Sequence, residues 1–342
     1  MYGAGSIGRG FIGQLLSESG YEVVFIDVDA ALVSRLNADG RYPLRLVGSG
    51  TDAELFVKNV RAVNGRDATA AAHEIATADI MATAVGANIL PYIAPVIAQG
   101  LALRWESNNV IPLNILICEN LIDANKALES LLLNHIDKHW HDAFPQCVGL
   151  VEVSVGRMVP VPSKLIQGDN PLRVLAEPYS LLPVDKDGIR GGIPDIKGLL
   201  PYSPFQFYIE RKLYMHNMSH AVLSYLGAAA GHEFVWQAAR DTSITRVTAD
   251  ALNEAAQGLS SKFNVPIGEL DEFARDLLKR YDNPALGDTI GRVCRDPLRK
   301  LALEDRLIGA ARMCLSQGIQ PRNIMTGIGA ALLYSHMHKE DV

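Results

Sequence analysis

The sequence predicts an α/β fold in which an N-terminal Rossmann-type parallel-sheet domain is followed by an all-helical C-terminal domain. Three observations predict it. Short β-rich apolar runs alternate with helical patterns over residues 1 to about 120, the sequence form of repeated βαβ units. A glycine-rich turn, Gly3-Ala4-Gly5-Ser6-Ile7-Gly8, opens the first helical pattern. Beyond a Gly- and Pro-rich stretch from Gly188 to Pro204, the apolar spacing is almost wholly that of helices.

Taken in order, a helix from Ile7 to Ser19 has Ile12, Leu15 and Leu16 on its apolar face, and the run Tyr21 to Val28 is the strand after it. Pro43 to Val47 and Leu55 to Val57 are weaker β-like runs, expected as a small antiparallel excursion. Helices over Asp67–Ala76 and Ile89–Gln99 then alternate with strands over Asp79–Val85 and Ile111–Cys118, and alternation from Val148 to Val155 marks a further strand. After the break, helical periods cover Phe205–Gly231, Asp241–Gln257, Ile267–Tyr281, Glu304–Ser316 and Pro321–His336. The expected domains are residues 1–190 for dinucleotide binding and 191–342 for substrate and catalysis.

With 342 residues, 48% of them hydrophobic, the chain is long enough for two cores without disulfides or metal. Its 32 basic and 38 acidic residues leave a net charge of −6, which argues against nucleic acid and anionic membrane as partners. Cys118, Cys147, Cys294 and Cys314 lie far apart with no CxxC pair, as expected of reduced thiols in a cytoplasmic protein. No apolar run reaches the roughly 18 residues that span a bilayer, and no signal-peptide pattern opens the chain.

A GxGxxG turn alone is weak evidence, but its context strengthens it. A helix follows at once, and the next strand ends in Asp27, 19 residues after Gly8. Glycines let backbone amides approach a pyrophosphate at a helix N-terminus, and the carboxylate accepts from the adenosine ribose hydroxyls. Gly3, Gly5, Ser6, Ile7, Gly8 and Asp27 are therefore the expected cofactor residues, and Asp27 favours NAD over NADP because it repels a 2′-phosphate. Only Met1 and Tyr2 precede the turn, too few for the strand it normally follows, so the first strand is expected to be missing and the chain trimmed at this end.

In the helical half, Arg211 to His220 gathers an amine, an amide and two imidazoles within ten residues. Hydride transfer between an alcohol and a nicotinamide needs one group to take the hydroxyl proton and donors to hold the oxygen. Lys212 suits the first role if burial and a cationic ring draw its pKa toward neutrality. Asn217 suits the second. At about 100° per residue, Lys212, His216, His220 and Asn217 fall near 0°, 40°, 80° and 140° on an α-helix, one broad side. The same pattern also fits a solvated helix face with a snorkelling lysine. Asn120 follows the Ile111–Cys118 strand, at the sheet edge where open α/β folds bind ligands, and could equally cap the next helix.

At these residues the chain resembles the polyol-specific long-chain dehydrogenases over nearly its whole length. The shared blocks are GAGSIGRGFIG at Gly3–Gly13, ICEN at Ile117–Asn120, ERKLYMHNMSHA at Glu210–Ala221 and RDPLRKLALEDRL at Arg295–Leu307. The K-x4-N-x2-H spacing of Lys212, Asn217 and His220 is the family signature. The resemblance implies a zinc-independent enzyme interconverting D-mannitol 1-phosphate and D-fructose 6-phosphate with NAD. It further implies Lys212 as general acid/base, Asn120 and Asn217 as holders of the reacting oxygen, and His220 as a substrate-positioning residue. Two rivals stand beside it: a relative acting on an uncharged polyol or a hexuronate, and a catalytically silent dinucleotide-binding protein. Departures from the family are Gly156 ahead of Arg157, Ser6 in the glycine turn, and an end at Val342 where relatives usually continue.

A small-molecule sugar phosphate requires cations, and Arg292, Arg295, Arg299, Lys300 and Arg306 fall within 15 residues. Arginine forks match phosphate oxygens bidentately, so Arg295 and Arg299 are the first candidates, although Asp296, Glu304 and Asp305 could equally balance a solvated face. His135 and His139 have i, i+4 spacing but no HExxH glutamate, and no metal site is expected. Cys118 lacks an adjacent base and is expected as a buried strand thiol.

Overall fold

The computed structural model describes residues 1–48, 51–109, 111–161 and 164–338. The chain forms two compact units, the first holding Met1–Val47 and Thr51–Phe205 and the second Gln206–Val342.

In the first unit, a π-helical turn at Gly8–Ile12 runs into α1 (Gly13–Glu18), followed by β1 (Val23–Asp27), α2 (Ala30–Asp39), β2 (Arg41–Gly48), β3 (Thr51–Lys58) and β4 (Val60–Asn64). Next come α3 (Ala68–Thr77), β5 (Ile80–Thr83), α4 (Leu90–Glu106), β6 (Leu113–Ile117), α5 (Ala124–Leu133), α6 (Phe144–Cys147) and β7 (Val148–Glu152). The unit closes with α7 (Lys164–Gln167), β8 (Val174–Ala176), β9 (Leu182–Asp185) and β10 (Leu199–Tyr202).

β4 pairs with β1, and β5, β6 and β7 pair in turn, all parallel, with Val23 opposite Val60, Ile80 opposite Asn114 and Leu113 opposite Val148. Helices cover both faces. Phe25 and Leu116 enter one apolar cluster while their neighbours Ile26, Ile115 and Ile117 enter the other, the period-2 division of strands buried on two sides. β3, β2 and β8 make a small separate sheet, and β9 pairs in parallel with β10, a strand inside the stretch read as a pure break.

Met1 and Tyr2 occupy the strand position ahead of Gly3. Tyr2 bridges Ile26 on one side and Thr83 on the other. Its N–H donates to Ala82 O at 2.8 Å and its carbonyl accepts from Ala84 N at 2.9 Å, while Ile26 N reaches Met1 O and Gly3 N reaches Ile26 O. Two residues thus join the β4-β1 pair to β5-β6-β7 through a single rung. Below that rung lies a cavity of about 290 Å³, lined by Val23, Val24, Glu22, Glu74, Ile80 and Met81 among others. The Met1 ammonium tops it, donating to Val24 O at 2.8 Å.

The second unit runs α8 (Gln206–Arg211), a π-helical stretch at Lys212–Asn217, α9 (Met218–Ala229), α10 (Val235–Arg240), α11 (Thr242–Phe263) and α12 (Ile267–Tyr281). The short helices α13 (Ile290–Val293) and α14 (Pro297–Lys300) precede α15 (Ile308–Ser316) and α16 (Arg322–Met337). α9 is central: Val222, Leu223 and Tyr225 are fully buried, and it packs against α11, α16 and α10. Asp241 caps α11 by accepting from Ser243 N and Ile244 N, which fixes where the longest helix begins.

His135 and His139 share no helix, since α5 ends at Leu133 and His139 sits in a separate 3-10 turn at Lys138–Trp140. Cys118, Cys294 and Cys314 are buried thiols. Among the described residues no helix is long and apolar enough to cross a membrane, and no group of three or more His, Cys, Asp or Glu could hold a metal ion.

Candidate active site

The glycine turn is shaped by close backbone approach. Gly3 has φ +95°, and a Cβ there would lie 2.5 Å from Ala84 O. A Cβ on Gly8 would lie 2.0 Å from Gly3 O, so the turn folds back on itself at that point. A Cβ on Gly5, in contrast, would meet nothing within 4 Å, which leaves open space for a ligand against the turn. Buried Arg9 fixes the segment, donating to Ala4 O and to Leu172 O, both at 2.6 Å. Ser6 and Ile7 begin the helix half-exposed, with Ser6 Oγ donating to Pro160 O.

Asp27 ends β1 as expected. One carboxylate oxygen accepts the Ala4 N–H at 2.7 Å and the other accepts Asp29 N–H at 3.0 Å. A carboxylate has about four lone-pair sites, so acceptor capacity remains for ribose hydroxyls. The open face at Gly5, the helix N-terminus and this carboxylate together fit a dinucleotide.

Asn120 lies just past the C-terminal end of β6 and is exposed, with its amide unengaged by the described residues. It is not a helix cap, because α5 starts at Ala124 behind Asp123. Glu119 beside it is buried and accepts from Val85 N at 3.0 Å and Gly86 N at 2.8 Å, tying the end of β6 to the turn after β5. Arg157 is structural: it is buried over the Phe11 ring and donates to Glu177 O, Gly10 O and Gln14 Oε1.

In the second unit, Lys212, His216 and Asn217 occupy the π-helical stretch, and His220 sits in the first turn of α9. This corrects the α-helical spacing expected above. With i→i+5 bonding, the wider turn brings Asn217 nearer the Lys212 side than α-helical winding would. π turns of this kind concentrate at functional sites. Asn217 is partly exposed, and among the described residues its amide is unengaged and buried His216 has no partner for Nδ1. Burial, followed by the charges of Arg280, His220, Lys212 and Arg306, holds His216 well below its ordinary pKa, as a neutral ring.

Tyr281, at the end of α12, braces this stretch. Its hydroxyl donates to His216 O at 3.0 Å and lies 2.8 Å from Ser219 Oγ. Its ring stacks on His220 at 5.1 Å and 13°.

The basic segment divides. Arg292 pairs with Asp288, while Arg299 and Arg306 both pair with Asp305. Arg295 is exposed and has no ion-pair partner among the described residues. Lys300 is a functional candidate that sequence reasoning does not single out. It is buried without a paired carboxylate among the described residues, and burial together with the Arg306 and Arg299 charges lowers its pKa to about 8. Its apolar flanks, Pro297 and Leu301, give it no distinguishing mark among four arginines.

The chain matches the mannitol dehydrogenase Rossmann domain over residues 1–198 and the mannitol dehydrogenase C-terminal domain over residues 205–341. It is 40% identical over 335 residues to the mannitol-1-phosphate 5-dehydrogenase of Brevibacillus brevis, covering 98% of this chain and 85% of that one. Similar solved structures include Pseudomonas fluorescens mannitol 2-dehydrogenase in a ternary complex with NAD and D-mannitol, at TM-score 0.75 and 16% identity, covering 97% of this chain and 78% of that one. A D-sorbitol dehydrogenase in substrate-free form gives TM-score 0.83 at 17% identity, covering 98% and 79%. These two share the fold. From its sequence and both domain matches, the chain belongs to the mannitol dehydrogenase family of polyol dehydrogenases.

Proposed function

We propose that the enzyme interconverts D-mannitol 1-phosphate and D-fructose 6-phosphate with NAD. The observation that supports the chemistry is the π-helical stretch Lys212–Asn217, whose wider winding brings Asn217 toward the Lys212 side of the helix. The relative named a mannitol-1-phosphate 5-dehydrogenase supports the substrate. The open face at Gly5 and the Asp27 carboxylate support NAD in the first unit.

When bound, NAD supplies the acceptor for the hydride leaving the alcohol carbon. Lys212, as its neutral amine, takes the hydroxyl proton in oxidation and returns it in reduction. Asn217 and Asn120 each offer an amide N–H₂ to the oxygen whose charge grows as the carbonyl forms; an amide stabilises that charge without competing for the proton. His220 positions a further substrate hydroxyl. Arg295 and Arg299 take the phosphate, and Lys300 joins them because a buried cation without a carboxylate partner gains most from an incoming anion.

NADH oxidation with fructose 6-phosphate, fructose and fructuronate tests the reading. The expected order places fructose 6-phosphate first by kcat/KM. A preference for fructose or fructuronate overturns the phosphate assignment, and NADH binding without turnover on any of the three overturns the enzymatic one.

A further inference from the structure

His220 is held from two sides within its own unit. Its ring lies on Tyr281, whose hydroxyl is tied to the His216 carbonyl. Its Nε2 stands 3.2 Å from Asp288 Oδ2, with 14% of the His220 side chain and 12% of the Asp288 side chain exposed. The ring N–H is not aimed squarely at that oxygen, and Nε2 has no other partner. The second oxygen of Asp288, Oδ1, accepts from Arg292 at 2.7 Å (Nε) and 2.6 Å (Nη2).

Asp288 is itself fixed through its backbone. Its carbonyl accepts Val235 N at 2.9 Å, Ile290 N reaches Glu233 O at 2.9 Å, and Thr289 bridges Phe234. The carboxylate is therefore delivered to His220 from a segment pinned on both sides.

We infer that Asp288 is a positioning residue: it holds the Nε2–H tautomer of His220 and leaves Nδ1 as an acceptor for a substrate hydroxyl. This deepens the reading of His220 as a substrate-positioning residue and rests on it. An imidazole with both nitrogens open can donate or accept at either one. A carboxylate at Nε2 removes the ambiguity, as carboxylates do behind functional histidines elsewhere. The recognised group is then a hydroxyl that donates, which a polyol chain supplies and an ionised carboxylate or phosphate group does not. Asp288 stays charged in this role, because His220 and Arg292 outweigh the upward push of burial and hold its carboxyl below the usual range.

The test is ¹⁵N NMR of histidine-labelled full-length enzyme, with the His220 signals assigned by their loss in His220→Gln, combined with steady-state kinetics of fructose 6-phosphate reduction. In the wild type, His220 is expected as the Nε2–H tautomer. In Asp288→Asn the tautomers mix, and the KM for fructose 6-phosphate rises severalfold while kcat changes little. In Asp288→Glu the tautomer and the KM return most of the way. Arg292→Gln gives a second reading should Asp288→Asn not fold: Asp288 then serves His220 alone, and the His220 ¹⁵N shifts move. Unchanged His220 signals in Asp288→Asn, or in Arg292→Gln if only that variant folds, overturn the inference. His220 signals that change while the KM stays fixed leave the Asp288–His220 pairing standing and overturn the role of His220 at the substrate instead.

Discussion

The backbone N–H of Ala4 donates to the Asp27 carboxylate at 2.7 Å, so the acid that ends β1 is bound directly to the glycine turn. The carboxylate shapes the turn, and its proposed second role is to accept from the adenosine ribose. Asp27→Ser should raise the KM for NAD by about tenfold, through a lost charge-assisted acceptor, while improving use of NADP by removing a negative charge from beside a 2′-phosphate. Steady-state kinetics with both cofactors measure it. An unchanged NAD/NADP preference would remove Asp27 from the cofactor site.

Lys212→Met should lower kcat by about 10² to 10⁴ while leaving NAD binding and the thermal midpoint close to wild type, the expected loss for a general acid/base. Asn217→Ala and Asn120→Ala should each lower kcat by about 10² to 10³, more than they change KM, because their donors matter most as charge develops on oxygen. If either asparagine variant changes KM alone, that residue holds the ground state only.

Lys300→Gln should raise the KM for fructose 6-phosphate at least tenfold, with kcat/KM for fructose little altered. Because burial and two arginines bring Lys300 down to about 8, its charge is lost as pH rises past that value. The wild-type KM for the phosphorylated ketose should therefore climb above about pH 8, and the climb should vanish in Lys300→Gln. Equal losses with both ketoses would instead make Lys300 structural.

Burial lowers the Met1 ammonium from 8.0 to about 5. The unfolded chain keeps its proton up to about pH 8, so folding releases one between about pH 5 and pH 8. Stability must rise with pH through that window, by up to about 4 kcal/mol at 1.36 kcal/mol per unit. Joining a four-residue β-forming segment ahead of Met1 would replace the ammonium with an amide and occupy the cavity below the Tyr2 rung. Thermal unfolding at pH 5.5 and pH 8 should then show a higher midpoint and a smaller pH difference. An extended protein with the original pH slope would refute the account.

Much of the fold was legible because strand and helix periods carry it. The alternation of Phe25 and Ile26 into opposite clusters is written in the sequence, and the helix read over Ile267–Tyr281 has those bounds in the structure. Elements set by tertiary pairing were not legible. β10 exists because Leu199–Tyr202 finds β9, in a stretch whose Gly and Pro content reads as a break. The chemistry of the second unit was visible as residue types, whereas its geometry depended on a π stretch that leaves no mark in apolar spacing. Asp288 and Tyr281 were invisible for another reason: each lies more than sixty positions from His220, and chain folding alone brings them to its ring.

Gly8–Ile12 and Lys212–Asn217 each interrupt a helix with wider winding. A wider turn carries an extra residue, so the side chain five positions on takes about the direction that an α-helix gives to the one four positions on. In uniform α-helical winding Asn217 would instead lie about 140° around the helix from Lys212. The placement of these two side chains thus depends on residue count as well as residue identity, and a residue inserted within 212–217 should separate them and be far less tolerated than most substitutions around it.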